Sequence, residues 1–166
     1  ETDDDLINGY NSDRERRPSM KSLSVTINRL IKERLVENGW NSESKIFRPA
    51  QYENSAWRLD FTKGYICVEV SFNHGEAAAH NIMKTIIASE YNHVEKEVQS
   101  ELGVVIVTTA KLKEKGNFDG SNAALEKYES YLNPYMAYAT SPIVFIGLCA
   151  PKTFKINSET REVELN

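Results

Sequence analysis

Apolar and polar residues alternate along this chain in a way that predicts a helix followed by a group of short strands. From Ser22 onwards apolar side chains recur every three or four residues, which predicts an amphipathic helix that ends at the Asn-Gly pair 38–39. Short β-rich runs follow at residues 57–61 and 65–72. They flank Thr-Lys-Gly at 62–64, which has the composition of a hairpin turn.

The second half of the chain alternates helical and strand patterns. A helical pattern extends from about Glu76 to Gln99, and the continuous apolar runs at 104–107 and 142–146 are typical of strands covered on both faces. The other predicted elements are a strand, a polar loop, a short helix and a final hairpin, at residues 45–48, 111–122, 123–132 and 153–165. This order predicts an α/β fold in which a mixed β-sheet is flanked by helices on both faces.

Residues 1–20 have no such periodicity. They are polar and charged and contain Asn-Gly, Asn-Ser and Arg-Pro pairs, so we expect a flexible polar arm followed by a single domain over residues 21–166. The arm carries a basic cluster, Arg14, Arg16 and Arg17, interleaved with acidic residues. We interpret this cluster as a solvated run rather than a phosphate-binding arm.

Composition indicates an ordinary globular protein, with 40% hydrophobic and 27% charged residues. No apolar run approaches the ~20 residues of a membrane span, and the acidic N-terminus lacks the apolar segment of a secretory signal. The chain begins with Glu1 rather than Met, so we expect it to be trimmed or partial. Cys67 and Cys149 lie in apolar segments, which predicts two buried thiols in a reducing compartment, and no zinc-like spacing is present. The net charge of −4 argues mildly against nucleic-acid binding but permits a local basic surface.

Two carboxylates interrupt the apolar strands of the predicted hairpin. Asp60 lies in the first strand and Glu69 in the second, and burying a carboxylate is costly unless it finds a partner or a cation. The hairpin brings the two side chains toward the same end of the sheet, where they repel each other unless a divalent cation lies between them. Oxygen ligands without Cys or His suit Mg²⁺, with Mn²⁺ as a second candidate.

The strand that follows offers further candidate groups. Glu69 and Ser71 share a face because side chains alternate along a strand, and the carbonyl of Val70 is a candidate third metal ligand. A cation held in this way can polarise a phosphodiester and activate a water molecule. The alternative is that the carboxylates pair with Arg58, Lys63 or a helix terminus.

An Asp and a Glu separated by eight residues on a hairpin resemble the PD-(D/E)xK nuclease pattern. Residues 59–72 as a whole resemble the catalytic hairpin of the BglII and BstYI group of type II restriction endonucleases. Residues 32–35 and 39–40 resemble the core helix of this group, which ends in a Gly-Trp pair. Residues 103–106 and 141–147 resemble two of its later strands. The likeness runs in order over about residues 22–150.

The resemblance implies a restriction-endonuclease-like fold and a homodimer that hydrolyses both strands of a short site in double-stranded DNA. It implies a prokaryotic, cytoplasmic enzyme without membrane association, which uses magnesium to direct water onto the phosphorus and leaves a 5′-phosphate. Asp60 and Glu69 would be the catalytic metal ligands, and Glu33 matches a helix glutamate that is either catalytic or structural. Apart from the resemblance, the long helix over residues 76–99 has more apolar positions than a small sheet needs, which also suggests a dimer.

One position departs from the pattern. The wider superfamily has Lys two residues after the glutamate, and the BglII group has Gln or Glu, whereas this chain has Ser71. A serine can position a water molecule in the reaction, but it is a poor base and adds no charge. Two hypotheses therefore stay open: an endonuclease that relies on metal-activated water, and a catalytically impaired DNA-binding or protein-interaction module on the same fold.

Candidate DNA-contacting side chains lie directly after the catalytic strand and in two later loops. Base reading requires polar side chains that reach into a groove. The candidates are Asn73, His74, Lys113, Lys115, Asn117, Ser121, Tyr135 and Tyr138. Ordinary solvated loops would account equally well for these residues.

Overall fold

A five-stranded mixed sheet forms the centre of the structure, a computed structural model that describes residues 2–72, 74–91, 94–139 and 141–166. Its strands lie in chain order: β1 (Asn41–Lys45), β2 (Arg58–Lys63), β3 (Ile66–Ser71), β4 (Leu102–Thr108) and β5 (Ile143–Leu148). Strand β2 pairs antiparallel with both β1 and β3, whereas β3, β4 and β5 are parallel.

Five α-helices, two short 3-10 helices (Ala50–Tyr52 and Ser55–Trp57) and a small second sheet complete the described fold. The α-helices are α1 (Asp3–Arg16), α2 (Ser24–Glu37), α3 (Ala77–Ser89), α4 (Ala110–Lys115) and α5 (Leu125–Met136). Strands β6 (Phe154–Ile156) and β7 (Val163–Leu165) form the predicted final hairpin. The predicted α/β class, a mixed sheet with flanking helices, is confirmed.

Helix α3 covers one face of the parallel strands. Its Ile82 and Ile86 pack in one cluster with Val105 and Val107 of β4 and with Tyr128 of α5. Alternate residues of a strand point to opposite faces of the sheet. A second apolar cluster lies among α1, α2, α4 and β6. A third cluster joins the hairpin to α3 through residues such as Leu59, Cys67 and Ala88. The β2–β3 hairpin therefore packs directly against α3.

The N-terminal segment differs from the flexible arm expected at residues 1–20. Residues Asp3–Arg16 form α1, which begins with a capping box between Thr2 and Asp5. Tyr10 is fully buried and donates a hydrogen bond to the carbonyl of Arg161 at 2.8 Å. Leu6, Ile7 and Tyr10 pack in the second cluster. The prediction failed because polar and charged residues outnumber these few apolar ones in α1, so the apolar periodicity is weak.

The second predicted helix is shorter than expected. Helix α3 ends at Ser89, and Glu90 is extended, whereas the pattern predicted a helix to Gln99. The apolar residues beyond it, Val94 and Val98, pack against the third cluster within the same chain. The surplus of apolar helix positions that suggested a dimer is therefore absent.

Other boundaries also move. The loop expected at 111–122 begins with helix α4 and buries Phe118 and Asn122. Strand β5 lies at the edge of the sheet. It is not covered on both faces, since Val144 is 45% exposed and Ile146 is 43% exposed.

The expected strand at 45–48 occupies 41–45, and the hairpin turn falls at residues 64–65, where Gly64 adopts a positive φ of 54°. Cys67 is buried as predicted, but Cys149 is exposed. Within the described ranges, no helix is both long and apolar enough to cross a membrane.

Candidate active site

The two carboxylates lie opposite each other on neighbouring strands. The registered pairs of the β2–β3 hairpin run from Lys63 with Ile66 to Phe61 with Val68, so Asp60 and Glu69 form the next pair. The backbone N–H of Val70 donates to Oδ2 of Asp60 at 2.6 Å. This bond fixes the Asp60 carboxylate beside the strand that carries Glu69.

Glu69 is an unusual residue because its carboxylate is almost completely buried. The residue is 1% exposed, and its Oε1 atom has no hydrogen-bond partner among the described residues. Burial, with added repulsion from Asp60, raises the pKa of Glu69 to about 8, although Lys84 acts in the opposite direction. Burial also raises the pKa of Asp60, and the hydrogen bond from Val70 partly offsets this. Both shifts show a site that disfavours two uncompensated negative charges.

A lysine from α3 compensates part of this charge. Nζ of Lys84 lies 2.5 Å from Oε2 of Glu69 and donates a second hydrogen bond to the carbonyl of Arg58 at 2.9 Å. The predicted alternative partners of the carboxylates were Arg58, Lys63 or a helix terminus. The structure instead places a side chain from the middle of a helix against Glu69.

A third acidic residue, Glu43, lies on the other side of Asp60. The pairs Ser42–Phe61 and Ser44–Leu59 flank it, which places Glu43 across from Asp60. Glu43 has a positive φ of 55°, a conformation that non-glycine residues seldom adopt. Its charge contributes to the raised pKa of Asp60.

The free oxygen of Glu69 fits a cation. A buried carboxylate oxygen without a partner is costly, and a bound cation would remove that cost. Among the residues that the structure describes, no three His, Cys, Asp or Glu side chains converge on a metal position. Mg²⁺ is commonly bound through one or two carboxylates and keeps several water ligands, so the donors at Asp60 and Glu69 match its usual protein contribution.

The hydroxyl of Ser71 is engaged by two side chains of the protein. Asn81 of α3 donates to it at 2.7 Å, and the hydroxyl of Tyr128 shares a further hydrogen bond with it. Ser71 is 1% exposed. Its position therefore joins β3 to α3 and α5, and this environment differs from the water-positioning role that the sequence suggested.

Glu33 does not join the carboxylate pair. It lies on the exposed side of α2, where Arg29 binds it at 2.9 Å, and its side chain is 50% exposed. Arg29 also binds the buried Asp13 of α1, so this network connects two helices. The contacts of Glu33 favour the structural alternative that the sequence left open.

The candidate DNA-contacting lysines of α4 are bound to backbone carbonyls. Lys113 donates to the carbonyls of Gly120 and Asn122, and Lys115 donates to that of Pro151. Asn117 donates to the carbonyl of Lys21. Because these amino and amide groups stabilise loops, their availability to DNA is smaller than the sequence suggested.

The remaining candidates are more accessible. His74 and Ser121 are exposed and hydrogen-bonded to each other, which joins the end of β3 to the loop before α5. Tyr138 is 70% exposed. Asn73 lies outside the described residues, and of Tyr135 the structure describes the backbone in α5 but not the side chain.

Lys84 is one of two residues near the carboxylate pair that the sequence did not identify. A signal was present, since Lys84 is the single Asp, Glu, Lys or Arg residue within α3, between two apolar stretches. A lone charge in such a helix needs a partner. The partner, Glu69, could not be identified from local spacing because it lies on another element. Glu43 was missed because its strand was expected at residues 45–48.

Comparison with known proteins identifies the family. The sequence model of the family described as restriction endonuclease BglII/BglIII matches residues 5–148. The crystal structure of restriction endonuclease BglII complexed with a DNA 16-mer superposes with a TM-score of 0.61 and 20% identity, over 84% of this chain and 66% of that chain. Free BglII superposes with a TM-score of 0.50 and 18% identity, over 82% of this chain and 67% of that one.

The chain thus spans about two thirds of the length of the BglII chains that it matches. A search among curated proteins gives no significant match. The structural likeness supports the same fold, and the family match extends over most of the sequence. The chain therefore belongs to the BglII/BglIII family of restriction endonucleases.

Proposed function

We propose that this chain carries the catalytic centre of a site-specific endonuclease that hydrolyses double-stranded DNA with Mg²⁺, and with Mn²⁺ as a substitute. The observation that carries the proposal is the buried pair Asp60 and Glu69, in which Oε1 of Glu69 lacks a partner within the described structure. Family membership supports the reaction class, and the relative complexed with a DNA 16-mer supports DNA as the substrate.

Each group at the hairpin has a separate role in this proposal. Asp60 and Glu69 hold the cation through their carboxylates, with the carbonyl of Val70 as a further candidate ligand. When bound, Mg²⁺ supplies the charge that polarises the phosphodiester and favours attack by water on phosphorus, which leaves a 5′-phosphate. The N–H of Val70 orients Asp60, and Lys84 holds Oε2 of Glu69 so that Oε1 remains available. Ser71 supports the packing of α3 on β3.

Cleavage of both strands requires two such centres, so we propose that the chain acts as a homodimer in the prokaryotic cytoplasm. His74 and Ser121, with Asn73 beside them in sequence, are the proposed groove-contacting group next to the cleavage centre. Tyr135 and Tyr138 form a second candidate group. Basic side chains that bind backbone carbonyls, such as Lys113, are expected to contribute less.

Cleavage of mixed plasmid and phage DNA tests the function. The wild-type chain should give discrete fragments with Mg²⁺ or Mn²⁺ and none with EDTA, and ligation of the products without prior phosphorylation should detect 5′-phosphates. Asp60→Asn and Glu69→Gln should abolish cutting, whereas Glu33→Gln, a matched change at an exposed carboxylate, should not. Sequencing the ends of digested genomic DNA then reads the recognition site.

Two results would contradict the proposal. One is intact DNA in the presence of every divalent metal while the protein is folded and pure. The other is cutting that persists in Asp60→Asn and Glu69→Gln, which would identify a contaminating nuclease.

The second candidate is a catalytically impaired DNA-binding module, favoured by the absence of a basic or acidic side chain at Ser71. It predicts a gel shift with DNA that Glu69→Gln leaves unchanged, without cutting. A protein-interaction module on the same fold predicts neither DNA binding nor metal binding.

A further inference from the structure

We propose that Lys84 of α3 supplies, beside Glu69, the positive charge that the wider PD-(D/E)xK superfamily carries on the strand two residues after the glutamate. This inference rests on the proposed nuclease function. It deepens that function by assigning the third position of the motif to a residue on a different element. Lys84 is a positioning residue in this proposal, because in the structure it contacts Glu69 and Arg58 rather than a substrate.

The first argument is the cost of placing this lysine where it lies. Lys84 is 7% exposed and belongs to the face of α3 that packs on the sheet. A buried ammonium group is strongly unfavourable unless it is paired and hydrogen-bonded. Its described partners are Glu69 and the carbonyl of Arg58, and both belong to the two strands of the candidate site.

The second argument is how helix and strand match. Asn81 and Lys84 lie three residues apart and therefore on one side of α3. Asn81 binds Ser71 and Lys84 binds Glu69, and the latter two residues lie two apart on one face of β3. The helix thus supplies one partner to each of the two strand positions that the nuclease pattern uses.

The third argument is the environment of Ser71. Its hydroxyl is surrounded by Asn81 and Tyr128, and the residue is buried. A lysine at this strand position would have to displace both partners. Lys84 of α3 places its positive charge beside the Glu69 carboxylate without disturbing the hydrogen bonds of Ser71 with Asn81 and Tyr128.

The chemistry requires no proton transfer by Lys84. An ammonium group has three donors, and two of them are used by Oε2 of Glu69 and the carbonyl of Arg58. A fixed cation at this point stabilises the negative charge that increases on the phosphate as water attacks.

The experiment combines metal binding with cleavage. Lys84→Met removes the charge and keeps the length, and Lys84→Arg keeps the charge. Lys96→Met is a matched control, because Lys96 is a half-buried lysine that binds the backbone carbonyls of Ile87 and Glu90, and within the described ranges it forms no ion pair with a carboxylate. Mg²⁺ affinity is measured by calorimetry without DNA, and cleavage is measured at saturating Mg²⁺.

Lys84→Met is expected to bind Mg²⁺ about tenfold more tightly at a pH at which Glu69 is ionised, because Glu69 loses its internal cation. Its cleavage rate at saturating Mg²⁺ should fall about a hundredfold with little change in KM for DNA. Lys84→Arg should recover part of the rate, and Lys96→Met should change neither quantity. A merely structural role would instead weaken metal binding and stability together.

Several outcomes would overturn the inference. A folded Lys84→Met with wild-type cleavage at saturating Mg²⁺ does so, as does one with unchanged or weaker Mg²⁺ affinity. If Lys84→Met does not fold, Lys84→Gln replaces it, because its amide can keep the bond to Arg58, and the same results apply. If the wild-type chain does not cut, the proposed function fails, and Mg²⁺ affinity alone then decides whether Lys84 is the internal cation of this site.

Discussion

Asp60→Asn is expected to stabilise the metal-free protein although it removes a proposed metal ligand. Asp60 lies opposite Glu69, and both carboxylates are ionised above the pKa of about 8 of Glu69. Two unit charges ~5 Å apart across a strand pair then repel by about 3 kcal/mol at an effective dielectric of ~20. Lys84 offsets part of this repulsion, and the amide oxygen of asparagine can still accept the hydrogen bond from Val70. We therefore expect a net gain of about 1 kcal/mol, or about 2–4 °C in Tm for a chain of this size.

The pH dependence of this gain has a defined sign. Burial is the largest cause of the raised pKa of Asp60, so its ionised form destabilises the folded protein relative to the unfolded chain at neutral pH. This destabilisation is lost as the pH falls through the folded-state pKa toward the unfolded value of ~3.9. The advantage of Asp60→Asn over the wild type should therefore shrink as the pH is lowered.

Magnesium should reverse the order of stability. At a concentration ten times its Kd, a ligand that binds only the folded state stabilises by about 1.4 kcal/mol. We expect this increase for the wild type and for Glu33→Gln, but not for Asp60→Asn. Scanning calorimetry in EDTA and in Mg²⁺ measures both effects. The reasoning would be refuted if Asp60→Asn melted below the wild type in EDTA, or if Mg²⁺ raised both melting temperatures equally.

The remaining predictions concern packing, the N-terminal helix and assembly. Tyr128→Phe should lower the free energy of unfolding by about 1 kcal/mol, because it removes a hydrogen bond to the buried Ser71. Urea denaturation measures this loss, with Tyr65→Phe at an exposed tyrosine as the control. Equal effects of the two substitutions would argue against the prediction. Asp3→Asn should lower stability by less than about 1 kcal/mol, since this exposed carboxylate accepts hydrogen bonds from residues 152 and 153. Those bonds outweigh the effect of desolvation and lower the pKa of Asp3, so its contribution is present at neutral pH and is lost as the pH falls through that lowered value; an identical pH profile for Asp4→Asn would contradict this. Sedimentation should detect a dimer on DNA, and a monomer both free and with DNA would exclude the proposed homodimer.

The sequence predicted those elements whose apolar side chains recur regularly. Helix α2, the hairpin and β4 were recognised because their burial follows a period that the chain itself displays. Helix α1 was not recognised, since its few apolar residues pack in the second cluster among many polar ones, and Asp13 is buried through hydrogen bonds to another helix. Local pattern reports which face is apolar, but it does not report which distant polar group satisfies a side chain.

The same distinction applies to the site. Asp60 and Glu69 were identifiable because a carboxylate in an apolar strand is costly and the hairpin that joins them is local. Lys84 reaches Glu69 only through the packing of α3 on the sheet, which no spacing within the sequence encodes. The burial of Ser71 beneath Asn81 has the same origin.

The contacts of α1 have a consequence for how the protein folds as it is synthesised. Tyr10 and Arg14 bind the carbonyl of Arg161, which is separated from Tyr10 by 151 positions in the chain. Because Tyr10 and Arg14 precede Arg161 in the chain, these two contacts form only after the segment between β6 and β7 has been synthesised. Long-range closures of this kind slow folding. A chain without residues 153–165 would leave Tyr10 without this hydrogen bond, and we expect chaperones to bind it or proteases to cleave it.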